Sequence, residues 1–157
     1  MEKYHTLIES ANLHFKNADH MIFITYPLLN DPKLMMTIVE KLYTSVLLAI
    51  KAILHYDYLY KNISFVPEKE EEQVKLFKEH TVKQYHLGKE ILLAIAELKD
   101  LVDFRKKSPI EFVRKNNFIV CSAGYTTKTI NFQKIKKYAQ EIKYFLMQIN
   151  NVVKNGF

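Results

Sequence analysis

Across residues 32–60, apolar or small side chains recur every three or four positions, at Leu34, Ile38, Leu42, Ser45, Ala49, Ala52, Ile53 and Tyr56. That spacing lines one face of an α-helix and does not suit a strand, whose side chains alternate every second residue. Within the stretch, the run SVLLAIKAIL is apolar almost all the way round. Such a helix needs cover on several sides, which predicts the central member of a helical bundle. Asn30-Asp31-Pro32 marks its start, with Asp31 placed to cap and Pro32 suited to the first helical position.

Four more stretches share the same period. From Glu2 to about Thr25, Tyr4, Leu7, Ala11, Phe15, Ala18, Met21 and Ile22 predict a first helix, which Tyr26-Pro27 is expected to break because proline disfavours the helical region for the residue before it. Glu68-Lys69-Glu70-Glu71-Glu72 opens a third helix, where carboxylates complement the exposed N–H groups of a first turn. Val74, Phe77, Thr81 and Tyr85 carry that helix toward Gly88, and Ile91, Ile95, Leu98, Val102 and Phe104 form a fourth. The last helix, residues 132–153, turns Ile135, Tyr138, Ile142, Phe145, Ile149 and Val152 inward.

Residues 105–130 break the pattern with RKKSPIEFVRKNNFIVCSAGYTTKTI, which mixes basic, β-branched and turn residues. Ser108-Pro109 followed by Glu111 resembles a short helix start, and residues 118–122 and 126–130 are extended candidates flanking Ala123-Gly124, as in a small hairpin. The resulting expectation is one all-α domain over residues 1–157, an up-and-down bundle of about five helices, with an irregular basic flap before the last. Only 3 Gly and 4 Pro in 157 residues argue against a turn-rich sandwich or barrel. The single cysteine, Cys121, forbids an internal disulfide and any multi-thiolate metal site. It is expected to be a buried, inert thiol in a cytoplasmic protein. Neither a secretory leader nor a membrane span is expected, since the most apolar run is interrupted by Lys51.

Charge is divided along the chain. Residues 1–98 carry a net charge of −2 and residues 99–157 a net charge of +8. A basic sector of that kind suits an anionic partner, RNA or an acidic protein surface. The binding candidates are Arg105, Lys106, Lys107, Arg114, Lys115, Lys128, Lys136 and Lys137. Lys134 adds to the set at the start of the final helix. The two arginines stand out because every other basic residue is lysine, and guanidinium offers a planar fork for phosphate. The alternative for each is structural: a tie from the flap to a helix end or to Glu111. Tyr125 and the trio Tyr56, Tyr58 and Tyr60 offer stacking surfaces, although in a bundle such rings mostly fill the core.

Catalytic signatures are missing from the sequence. The six histidines form no H-x-x-x-H pair, no histidine neighbours Cys121, and no glycine-rich loop is present to cradle a phosphate. No metal and no cofactor are expected. The favoured expectation is a non-catalytic binding or assembly module, acting alone or with further copies of itself. The alternative is a divergent nuclease or nucleotide-acting enzyme that brings Arg105 or Arg114 to a histidine through folding.

The first two long helices, notably YTSVLLAIKAILHY, resemble the HEPN superfamily of small helical bundles. That resemblance implies an all-helical fold and an association with RNA cleavage or with minimal nucleotidyltransferases. HEPN ribonucleases carry an arginine followed after four to six residues by a histidine, whereas no histidine follows Arg105 or Arg114 here, so no catalytic role is carried over. ADHMIFITYPLLNDPKL and RKKSPIEFVRKNNFIVCS also resemble an archaeal protein family of similar length, which implies a shared fold and no known activity.

Overall fold

The computed structural model describes residues 2–155. Helix α1 (Lys3–His20) continues through a π-helical turn (Met21–Thr25) into α2 (Tyr26–Leu29). The expected break at Pro27 is therefore absent. A proline ring lacks an N–H and crowds the carbonyl four residues back. The π turn just ahead of it, in which the Tyr26 N–H reaches the Met21 carbonyl, widens the helix there. The run stops instead at Asn30, whose φ of 49° is left-handed and whose N–H closes on the Tyr26 carbonyl at 2.7 Å.

The next helix starts two residues later than expected, after a turn at Pro32-Lys33, and Asp31 is not its N-cap. Its side chain accepts the Lys33 N–H at 3.0 Å, and α3 (Leu34–Leu59) follows. This is the central helix: it packs against α1, α4 (Glu70–Leu76), α6 (Glu90–Lys106) and α7 (Phe132–Asn155). Where α1 and α3 pack, the fully buried Ser45 hydroxyl donates to the Ala11 carbonyl at 2.8 Å, and the Tyr4 and Tyr56 rings meet edge-on. Between α4 and the three-residue α5 (Val82–Gln84) lies a second π turn (Phe77–Thr81), which buries Phe77 and Thr81.

The chain is not purely α-helical. Residues expected to be irregular form a three-stranded antiparallel sheet in the order β1 (Ile110–Arg114), β2 (Asn117–Cys121), β3 (Thr127–Ile130). The β2–β3 pair is the hairpin anticipated around Ala123-Gly124. The helix start expected at Ser108-Pro109 does not form: the Ser108 hydroxyl bonds back to the Phe104 carbonyl at 2.6 Å and the chain enters β1. A two-residue turn, Lys115-Asn116, joins β1 to β2, with φ of 52° and 63°. Positive φ at both positions is the mirror-image turn whose twist matches a tight hairpin.

Candidate functional site

Strand alternation sorts the basic candidates. Phe118, Val120 and Ile130 belong to the core, so the residues directly opposite them, Val113, Glu111 and Lys128, share the inner face of the sheet. Ile110, Phe112 and Arg114 take the outer face with Ile119, Cys121, Thr127 and Thr129.

Inner-face charges are matched against α6 and α3. Arg105 gives its Nε to Glu111 at 2.7 Å and Nη1 to Glu40 at 2.8 Å, and these bonds raise its pKa further. Lys128 pairs with Asp100, its ammonium 5.3 Å from the centre of the Phe104 ring. Beside it, a cleft of about 220 Å³ between α6, β3 and α7 is lined by Glu97, Asp100, Lys128, Lys134 and Tyr138. Two of its charges are already engaged, Asp100 by Lys128 and Glu97 by the Tyr138 hydroxyl at 2.6 Å. Burial first, and then the Glu97 carboxylate, push the Tyr138 phenol well up.

Arg105 thus welds β1 to two helices. Replacing it with glutamine should lower stability by on the order of 1 kcal/mol, because the pairs are partly solvated. Hydrogen exchange should quicken in residues 110–121, and unchanged exchange there would contradict the weld.

Outer-face and end-of-sheet cations have no such partners. Arg114, Lys115 and Lys137 are exposed and make no hydrogen bond or ion pair among the described residues, while Lys136 lies 4.9 Å above the Phe132 ring. Ile130 pairs with Phe118, which pairs with Val113, so α7 leaves the sheet at the Arg114 end; along it Lys136 lies over the Phe132 ring, which stacks on Tyr26, and Lys137 lines a groove with Glu90, Glu97 and Glu141. The first turn of α7 is capped there by Asn131, which accepts the Lys134 N–H at 2.8 Å. Lys106 and Lys107 lie at the opposite end, where Ile110 pairs with Cys121 and the exposed Tyr125 closes the β2–β3 turn. Five strand residues separate the two ends by roughly 13 Å. Arg105 and Arg114 are divided in the same way, and among the described residues no histidine bonds to either.

A buried polar cluster escapes the sequence reading. Asp57, fully buried near the end of α3, accepts the Tyr85 hydroxyl and the Asn62 amide at 3.3 Å on one carboxylate oxygen. His80 Nε2 lies 3.7 Å from the other oxygen. Burial raises the Asp57 pKa above the usual carboxylate range, and its hydrogen bonds and His80 offset part of that rise. The sequence shows only His55-Tyr56-Asp57, whereas the histidine that meets Asp57 comes from the π turn, 23 positions on. Among the described residues no three His, Cys, Asp or Glu side chains gather to hold a metal ion, and no helix is long and apolar enough to cross a membrane. Comparison with protein-family models, with curated proteins and with solved structures found no match for this chain.

Proposed function

We propose that the chain is a binding module without catalytic chemistry of its own, and that it holds single-stranded RNA at the end of the sheet where Arg114 and Lys115 lie and from which α7 carries Lys136 and Lys137 away. One observation carries this reading: strand alternation turns Glu111 and Lys128 inward onto partners and leaves Arg114 outward, with Lys115 exposed in the turn beside it. Phe112, 41% exposed on the outer face beside Arg114, favours nucleic acid over an acidic protein. An aromatic face next to cations accepts a stacked base and its phosphate, whereas an acidic surface would use only the charges. Lys106, Lys107 and Tyr125 repeat the combination at the far end of the sheet. The layout resembling HEPN bundles accords with an RNA ligand. Cleavage is no part of the proposal, since Arg105 is engaged by Glu40 and Glu111 and stands apart from Arg114.

The test is a titration with a single-stranded RNA oligonucleotide at several salt concentrations. Four neutralised phosphates should make affinity fall about 50-fold between 50 and 200 mM salt. Replacing Arg114, Lys115, Lys136 and Lys137 together with glutamate should abolish binding and leave the helical circular dichroism unchanged. Weak binding that is equal for both proteins and insensitive to salt would remove RNA and leave an acidic protein as the partner to seek.

A further inference from the structure

The sheet ends on β1, and no strand among the described residues pairs with its outer edge. All five of its residues are exposed, including Ile110 at 46%, Phe112 at 41% and Val113 at 42%. Which backbone groups face that edge follows from the turn. Arg114 and Asn117 flank a two-residue loop and so form a hydrogen-bonded pair, as then do Phe112 with Ile119 and Ile110 with Cys121. Glu111 and Val113 therefore aim their N–H and C=O groups away from β2. Edge strands are usually blunted by proline, lysine or a bulge. Residues 110–114 contain neither residue type, their pairing with β2 runs without interruption, and their one inward-facing charge, Glu111, is neutralised by Arg105.

We propose that β1 pairs antiparallel with β1 of a second copy of this chain, about a two-fold axis at Val113. In that register Val113 meets Val113 once, on the axis, and Phe112 lies opposite Arg114 twice. An aromatic ring beside a guanidinium is a favourable cross-strand neighbour. Only registers that match outward-facing residues to one another are open to this edge. Centring the pair on Phe112 sets Ile110 against Arg114 and Glu111 against Val113, with no charge matched. Centring it on Glu111 brings two carboxylates together. The paired ring–guanidinium contacts therefore select both the partner and the register. The product is a continuous six-stranded sheet with a closed, isologous interface. The inference rests on the edge and not on the RNA reading, but Phe112 and Arg114 serve in both, so RNA and the second copy would compete for them.

Size-exclusion chromatography with light scattering tests it on the full chain. The expected mass is twice 18.6 kDa. Val113→Pro removes an N–H that β2 does not use, so it should give a monomer with unchanged circular dichroism. Should that variant fail to fold, Val113→Lys serves instead, since it leaves the backbone intact and places two like charges face to face. In a Cys121→Ser background, Val113→Cys should form an intermolecular disulfide on oxidation and Phe112→Cys should not. A monomer at every concentration would overturn the proposal, as would a dimer that survives Val113→Lys. A dimer dissolved only by Leu28→Asp would also overturn it, moving the interface to the exposed apolar tip formed by Phe23, Ile24, Leu28 and Leu29.

Discussion

Truncating Phe77 to alanine should remove about 3–5 kcal/mol of folding stability, read from the midpoint and slope of urea unfolding. Phe77 has no solvent exposure, and its ring stands edge-on to Phe145 of α7 with centroids 5.5 Å apart. It is also the first residue of the π turn that carries the segment after α4 across the face of α3. Deleting the ring forfeits its transfer from water and leaves a cavity between elements that cannot both move inward. Since domains of this size are stable by only about 5–15 kcal/mol, the variant should approach marginal stability near body temperature. Phe23→Ala is the matched control. That residue is 59% exposed, so its truncation should change stability by no more than about 0.5 kcal/mol. Equal losses in the two variants would mean that the packing described around Phe77 is wrong.

Helical periodicity made Phe77 legible, and it did the same for most of the core. Ile135, Tyr138, Ile142, Phe145, Ile149 and Val152 are all buried on α7, as is nearly the whole stripe assigned to α3. These stripes are legible because a long helix repeats one decision, which face is apolar, many times over. β1 is the opposite case. An edge strand exposed along its length shows no alternation of burial, and its Ser108-Pro109-Ile110-Glu111 opening has the chemistry of a helix start. Tertiary contact decided between the two, since the Glu111 carboxylate that would have served a first turn is bonded to Arg105. The Lys115-Asn116 turn was the available local signal, and lysine at a left-handed position is what hid it.

The same division runs through the candidate site. The concentration of positive charge in the last third is plain in the sequence. Which cations are free is not, because that depends on strand register. Lys128 and Arg114 look equivalent until β2 places one on the inner face and the other on the outer. The structural alternative for Arg105, a tie to Glu111, was within reach of the sequence because the two lie on one short segment. Its second partner, Glu40, was not, being 65 positions away.

Asp57 carries the other large effect, and its sign depends on pH. Asp57→Ala removes the acceptor shared by the Tyr85 hydroxyl and the Asn62 amide. Losing a buried partner costs about 1–3 kcal/mol, and since Asn62 is exposed while Tyr85 is buried, the variant should lose roughly 1–3 kcal/mol. Asp57→Asn separates the hydrogen bonds from the charge, since it keeps an acceptor oxygen but cannot ionise. Burial raises the folded-state pKa of Asp57, so the native protein holds this proton more tightly than the unfolded chain does. Its contribution is therefore fully present below the unfolded carboxylate value of about 3.9 and is lost as pH rises through the folded value. Relative to Asp57→Asn, the wild type should thus lose stability as pH climbs from about 4, and the difference should level off once Asp57 is ionised in both states. His80, 3.7 Å away, offsets part of the burial effect on Asp57, so His80→Gln should steepen the loss. Urea midpoints for the three proteins across that pH range decide the matter. Parallel curves for wild type and Asp57→Asn would show that the buried carboxyl titrates like an exposed one and would remove the electrostatic account of this cluster.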